Sequence, residues 1–268
     1  MKKKGFVSLV GAGPGDVELL TVKAMHLIQQ ADVILYDRLV SAEILDLIPT
    51  GISRIAVGKA SGHHCMPQQQ INDTLVNLAK AGHHVVRLKG GDPYLFGRGS
   101  EEALYLQQHQ IGFEVVPGIS AASGCSSYAG IPLTHRGLSR RVQFITGHWQ
   151  NDEQLDIDWH KVADADSTLV IYMGLATIAE TCQALIHAGL PGNTPAAAIE
   201  QGTTMQQRRV LSHVEKLADD INTSQLKAPV MIIIGQVVSM AHQLDWFQQH
   251  LDAFEIEKNG YDASAASV

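Results

Sequence analysis

The chain has 268 residues, 45% of them hydrophobic and 18% charged, enough for one large domain or two of moderate size. Its formal charge of -7 argues against general nucleic-acid binding, which needs a basic face, while leaving room for a local basic pocket. Three cysteines, Cys65, Cys125 and Cys182, are odd in number, far apart and without a CxxC, which speaks against a disulfide framework and for a reducing cytoplasm.

The N-terminal apolar run, Phe6 to Val10, is too short for the core of a secretory signal, and no stretch is long and apolar enough to span a membrane. That run reads as a first strand, closed by the glycine loop Gly11 to Asp16. A helix starts at Leu19 to Thr21 and runs through Gln30, with Leu20, Ala24, Leu27 and Ile28 at helical spacing. Val33 to Tyr36 is a second strand ending in Asp37 and Arg38, and Ala42 to Ile48 a short helix stopped by Pro49. Arg54 to Val57 is a third strand ending at Gly58 and Lys59. Pro67 opens a helix through Ala79. Val85 to Leu88 is the central strand; it runs into Gly90, Gly91, Asp92 and Pro93, and a helix follows near Glu101 to Gln108. Phe113 to Val116 is a fifth strand, and Pro117 to Ala122 leads into a small-residue helix ending near Gly130.

Ile131 to Gly137 is punctuated by Pro132 and Gly137 and reads as a connector. Beyond it come strands Val142 to Thr146 and Thr168 to Met173, helix Ala176 to Ala188, strands Ala196 to Glu200 and Arg208 to Leu211, helix Val214 to Asp220 and strand Val230 to Gly235. The pair around Gly202 is spaced for antiparallel contact. A terminal helix is expected over Met240 to Phe254. The alternation of strand and helix predicts α/β architecture: a parallel N-terminal sheet in residues 1–133 and a mixed C-terminal sheet in 138–254. The Ala/Ser/Asp-rich tail 255–268 is expected to be disordered.

Parallel strands share a direction, so the loops bearing Asp16, Asp37, Lys59, Asp92 and Pro117 should collect at one rim of the first sheet, where ligands of α/β sheets bind. Gly11 to Gly15 departs from the GxGxxG dinucleotide fingerprint, and Asp16 suits a pyrophosphate poorly. The loop is either a cradle for a zwitterionic or neutral ligand or simply a tight strand-to-helix turn. Asp37 is either a strand-end ion pair with Arg38 or an acid/base group or anchor at the rim, and the same choice applies to Lys59. The histidines near Cys65, with His83 and His84, match no zinc spacing, so no metal is expected. His135, Arg136, Arg140 and Arg141 form a cationic run, read as a solvated face or a carboxylate site. No GxSxG, HExxH, Walker A or kinase signature occurs, so neither covalent catalysis nor phosphoryl transfer has support.

Eight collinear segments carry a resemblance: VSLVGAGPGD, ADVILYDRLV, VGKASGHHCMPQQQIN, VVRLKGGDPYLFGRGSEEA, VPGISAASGCSSYAGIPLTHRG, FITGH, TLVIYMG and AIEQGTTMQQR, within residues 5–238. The chain resembles the tetrapyrrole methylase family, and within it the subgroup acting on uroporphyrinogen III. The resemblance implies two α/β domains with a cleft between them, a cytoplasmic homodimer, and S-adenosylmethionine as cofactor with S-adenosylhomocysteine as product. It implies cofactor contacts at Pro14, Gly90, Gly91, Asp92, Leu95, Ser120, Ala121, Met173 and Gly202. Asp37 carries over as proton acceptor and Lys59 as proton donor. Arg38, Lys59, Arg136 and Arg140 are expected to meet substrate carboxylates. The implied reaction is two methyl transfers to uroporphyrinogen III, giving precorrin-1 and then precorrin-2, the precursor of sirohaem and cobalamin. Without the dehydrogenase/chelatase domain of some relatives, the methyl transfers alone are expected. Two positions depart from the pattern: Ala60 stands where a second basic residue is usual, and Gln70 where a glutamate is common.

Overall fold

A computed structural model describes residues 5–58, 66–147 and 157–251. The chain divides between Ala121 and Ala122 into two compact units.

The first unit is a five-stranded sheet in the order β3-β2-β4-β1-β5. Its strands are β1 (Phe6–Gly11), β2 (Val33–Tyr36), β3 (Ser53–Ala56), β4 (His84–Lys89) and β5 (Gly112–Val116), and every pairing is parallel. Helices α1 (Val22–Gln30), α2 (Ala42–Asp46), α3 (Gln68–Lys80) and α4 (Gly99–Gln108) connect them. A 3-10 turn over Val17–Leu19 precedes α1, which starts later than the apolar spacing predicts. The polar caps explain this: Asp16 Oδ1 accepts from the Glu18 amide at 2.9 Å, and Thr21 Oγ1 from that of Ala24 at 3.1 Å.

Side chains alternate across the sheet, so β1, β2, β4 and β5 each feed two cores. Val10, Ile34, Val86 and Leu88 pack with Ile28 of α1 and Ile44 of α2. Val7, Leu9, Leu35 and Val85 pack on the other face with Leu75 of α3 and Leu106 of α4. The middle strand β4 is covered on both sides, which is why its apolar run Val85, Val86 and Leu88 serves both faces. Arg87 and Lys89 break that run, and both are buried.

The second unit carries α5 (Ala121–Tyr128), β6 (Arg141–Thr146), α6 (Trp159–Val162), β7 (Ser167–Tyr172), α7 (Ile178–His187), β8 (Pro195–Glu200), β9 (Arg208–His213), α8 (Leu217–Thr223) and β10 (Val230–Ile234). Its sheet has the order β6-β7-β10-β8-β9. Only β6 and β7 are parallel; the pair β8–β9 is antiparallel around Gly202, as the spacing predicts. Ile171, Leu185, Ala198, Leu217 and Ile232 lie in its core.

Most of α5 belongs to the second unit, although the sequence runs it on from the first series of elements. Gln207 Nε2 donates to the Tyr128 carbonyl at 3.1 Å and Arg209 Nη1 to that of Ala129 at 2.7 Å. Tyr128 packs edge-on against Trp246 and at a tilt against Phe247, with ring centroids 5.0 and 4.7 Å apart. The expected helix over Met240–Phe254 needs correction. Met240 closes a 3-10 turn, Gln236–Met240, and helix is found at residues 246–251. The chain between makes three-residue turns, with the amides of Ala241 and Gln243 bonding to Val238 and Met240. The turn ends where Trp246 Nε1 is held by the Ser127 carbonyl at 2.9 Å. Residues 252–268, including the tail expected to be disordered, lie outside the described residues.

Ile232 is fully buried on β10, the middle strand of the second sheet. Ile232→Ala is expected to cost about 2–5 kcal/mol. Urea denaturation should show this as a lower midpoint at unchanged slope.

Candidate functional site

The carboxyl ends of β1, β4 and β5 meet through their backbones. Gly13 and Gly91 exchange amide-to-carbonyl bonds of 3.2 and 2.7 Å, forming an isolated antiparallel bridge between two loops. Gly91 adopts φ +67, which suits a residue without a Cβ. At Gly118 the need is space: a Cβ there would stand inside contact distance of the Gly91 carbonyl and of Gly11 Cα. Asp92 ties the set together, its Oδ1 accepting from the Tyr94 amide at 2.8 Å and its Oδ2 from that of Gly118 at 3.1 Å. Pro14, Gly90 and Leu95 are half-buried beside this crossing, and Ser120 and Ala121, also half-buried, follow it. The structure thus groups the cofactor positions expected in the first unit. Gly11 to Asp16 and Gly90 to Gly97 contain two carboxylates and no Lys or Arg. That donor set fits a cationic or zwitterionic ligand and not a pyrophosphate.

Asp37 leaves the end of β2. Its amide donates to the Leu88 carbonyl at 3.2 Å, so the residue is tied to β4 before its side chain is considered. The carboxylate does not take Arg38 as its partner. Arg87 Nη2 donates to Asp37 Oδ1 at 2.5 Å, and Lys89 Nζ lies 3.8 Å from Oδ2. Behind them, Glu102 of α4 accepts at its Oε1 from Arg87 Nε at 3.1 Å, Lys89 Nζ at 3.0 Å and Gln68 Nε2 at 3.2 Å. The Arg87 and Lys89 side chains are 2% exposed, that of Glu102 0%, and that of Asp37 30%. Glu102 Oε2 has no hydrogen-bond partner among the described residues. Burial pushes the Lys89 pKa down, and the neighbouring Arg87 adds to this; Glu102 and Asp37 pull it back.

Sequence reasoning missed Arg87, Lys89 and Glu102. The signal was two cations at i and i+2 following the apolar pair Val85 and Val86, where period-two alternation sends both to one face.

Other expected positions stand separately. Lys59 and Ala60 lie outside the described residues, as do His63, His64 and Cys65. Arg38 is exposed beside Asp37, and Gln70 is exposed on α3. In the second unit, Met173 follows β7 in a left-handed conformation, φ 53, with 51% exposure. Gly202 follows β8, where a Cβ would collide with Cys125 Sγ, so its smallness serves packing. Arg136 and Arg140 are exposed around the bridge between His135 and Ser139, while Arg141 pairs with Asp164. Cys125 and Cys182 are free and buried, with burial pushing their thiols up to about 12 and about 11. His84 Nε2 lies 3.0 Å from Ser8 Oγ. No group of three or more His, Cys, Asp or Glu that could hold a metal occurs among the described residues, and no helix among them is long and apolar enough to cross a membrane.

A sequence profile described as Tetrapyrrole (Corrin/Porphyrin) Methylases matches residues 7–218. The chain is 54% identical over 245 residues to a siroheme synthase of Nitrosospira multiformis, covering 91% of this chain and 52% of that protein. It thus spans about half the length of the curated relatives it matches. Among solved structures it is similar to the uroporphyrin-III C-methyltransferase of Thermus thermophilus complexed with S-adenyl homocysteine. The TM-score is 0.75 at 39% identity, over 87% of this chain and 98% of that one. A cobalt precorrin-4 methyltransferase of cobalamin biosynthesis matches with TM-score 0.77 at 26% identity, over 87% and 95% of the two chains.

Two adjacent glutamates make opposite stability predictions. Glu101 pairs with Arg98 at 2.7 Å, and both side chains are about half exposed. Glu101→Ala is expected to cost about 0–1 kcal/mol. Glu102→Ala leaves two buried cations to share the single carboxylate of Asp37 and is expected to cost about 3–5 kcal/mol. Equilibrium urea denaturation of the two variants checks the contrast.

Proposed function

The chain belongs to the tetrapyrrole methylase family, and from that premise we propose that it converts uroporphyrinogen III to precorrin-2 through precorrin-1 by two S-adenosylmethionine-dependent methyl transfers. The observation that carries the reading is Asp37: a part-exposed carboxylate at a strand end, fixed from behind by two buried cations. Support also comes from the 39% identity to a uroporphyrin-III C-methyltransferase and the relatedness to siroheme synthases. The more distant likeness to a cobalt precorrin-4 methyltransferase favours a second reading, action on a later precorrin.

The cofactor supplies an activated methyl group on a sulfonium. The chain's own task is alignment, since a reduced pyrrole is already an electron-rich carbon nucleophile. Pro14, Gly90, Gly91, Asp92, Leu95, Ser120 and Ala121 are the residues of the first unit that would hold the cofactor. Met173 and Gly202 carry the same assignment in the second. The acidic, cation-free glycine loops suit the charge of a sulfonium amino acid. Asp37 accepts the pyrrole N–H proton as positive charge develops, and Lys59 is the proton donor. The substrate's carboxylates call for cations, and Arg38, Lys59, Arg136 and Arg140 are assigned to them. The product serves sirohaem or cobalamin synthesis, and the working form is a cytoplasmic homodimer.

Anaerobic incubation with uroporphyrinogen III and S-adenosylmethionine, followed by mass spectrometry, is expected to show a gain of two methyl groups. No gain, with cofactor binding intact by calorimetry, would move the later precorrins to the front. Asp37→Ala should lower turnover by about 10²-fold or more without a comparable loss of S-adenosylhomocysteine affinity. An unchanged rate in that variant removes Asp37 from the mechanism.

A further inference from the structure

The assignment of Asp37 leaves Arg87, Lys89 and Glu102 without a role. We infer that Arg87 is the positioning residue of Asp37, with Lys89 as a second arm and Glu102 as the counter-charge that lets both cations stand buried. The inference rests on the proposed role of Asp37.

The Arg87 side chain is 2% exposed, so it meets the rim only through Asp37. Each of its three guanidinium nitrogens has a partner. Nε donates to Glu102 Oε1 at 3.1 Å, Nη1 to the Leu88 carbonyl at 3.3 Å, and Nη2 to Asp37 Oδ1 at 2.5 Å. A planar group held at three points cannot rotate, so the direction of the Asp37 bond is set by β4 and α4 and not by solvent. Lysine offers one nitrogen and no plane, and could not do the same.

A cluster built for stability alone has little reason to take this form. Apolar side chains of similar volume often serve a core as well or better than a buried ion network. Here Lys89 stands beside Arg87, which makes its charge more costly, and Glu102 brings both to a single oxygen. Among the charged members of this cluster, Asp37 is the one whose side chain reaches solvent, at 30% exposure.

The arrangement also distinguishes the two oxygens of Asp37. Oδ1 is occupied by Arg87 at hydrogen-bond distance. Among the described residues, Oδ2 has the 3.8 Å ion-pair contact to Lys89 and no hydrogen-bond donor. Oδ2 is therefore the oxygen that takes the proton. The pyrrole N–H bond breaks, its electron pair stays on the ring nitrogen, and a new O–H bond forms at Oδ2.

The test is a double-mutant cycle with Arg87→Met and Asp37→Asn, supplemented by Arg87→Lys. Arg87→Met leaves Lys89 and Glu102 as a neutral pair, which favours a folded variant. It is expected to lower kcat by about 10²-fold with little change in KM for the tetrapyrrole or in S-adenosylhomocysteine affinity. In the Asp37→Asn background it should cause no further loss, and Arg87→Lys should not restore the rate. Equal fold-losses in both backgrounds, or no loss at all, would overturn the inference. If Asp37→Asn alone leaves the rate unchanged, the parent reading has failed, and a crystal structure of Arg87→Met then decides this one. A displaced Asp37 carboxylate upholds the positioning role; an unmoved one sinks it.

Discussion

Two cations and two carboxylates share the space under the rim of the first sheet, and their meeting follows from a period of two. β4 is the middle strand, covered by α1 and α2 on one face and by α3 and α4 on the other. Alternation sends Val86 and Leu88 to the first face and Val85, Arg87 and Lys89 to the second. Burial keeps bulk solvent from Arg87, Lys89 and Glu102, so groups of the chain itself meet their charges. Glu102 does this from α4, and Asp37 completes the set from the neighbouring strand. The pairing of β2 with β4, which places Tyr36 opposite Leu88, brings Asp37 to within reach. Strand register, helix placement and the orientation of one carboxylate are thus a single constraint.

The glycines beside this cluster obey a different rule. The loops after β1, β4 and β5 touch main chain to main chain, with a two-bond bridge between Gly13 and Gly91 and no room for a Cβ at Gly118. Gly13 and Gly91 serve one another through their backbones, so the contact between the first two loops does not depend on side-chain rotamers. Asp92 then locks the third loop to the second through one carboxylate. Such a surface is acidic without being strongly charged.

Much of this was legible in the sequence. Short apolar runs ending in glycine or aspartate mark the parallel strands, and the turn around Gly202 marks the β8–β9 pair, because both signals are local. Asp37 stood out for its place at a strand end. Its partners did not, since Arg87 and Lys89 read as ordinary charges until β4 is known to be covered on both faces. That is a property of strand order, which composition does not encode. The terminal helix shows the same limit: the apolar spacing over Met240–Phe254 is helical, but a tertiary hydrogen bond from Trp246 to Ser127 decides where helix begins. Gly202 had a bland explanation in packing against Cys125, visible only once α5 is in place.

The attachment of α5 bears on how such chains can be recombined. The connector at 131–137 looks like the natural place to join halves from two relatives. A junction there would bring α5 from one parent and its partners from the other. Gln207 and Arg209 would have to find the carbonyls of Tyr128 and Ala129 in a foreign segment, Gly202 would face a foreign residue at position 125, and Trp246 and Phe247 a foreign ring at 128. The seam that keeps these matched sets within one parent runs just ahead of Ala122, inside a stretch that nothing in the sequence marks as a boundary.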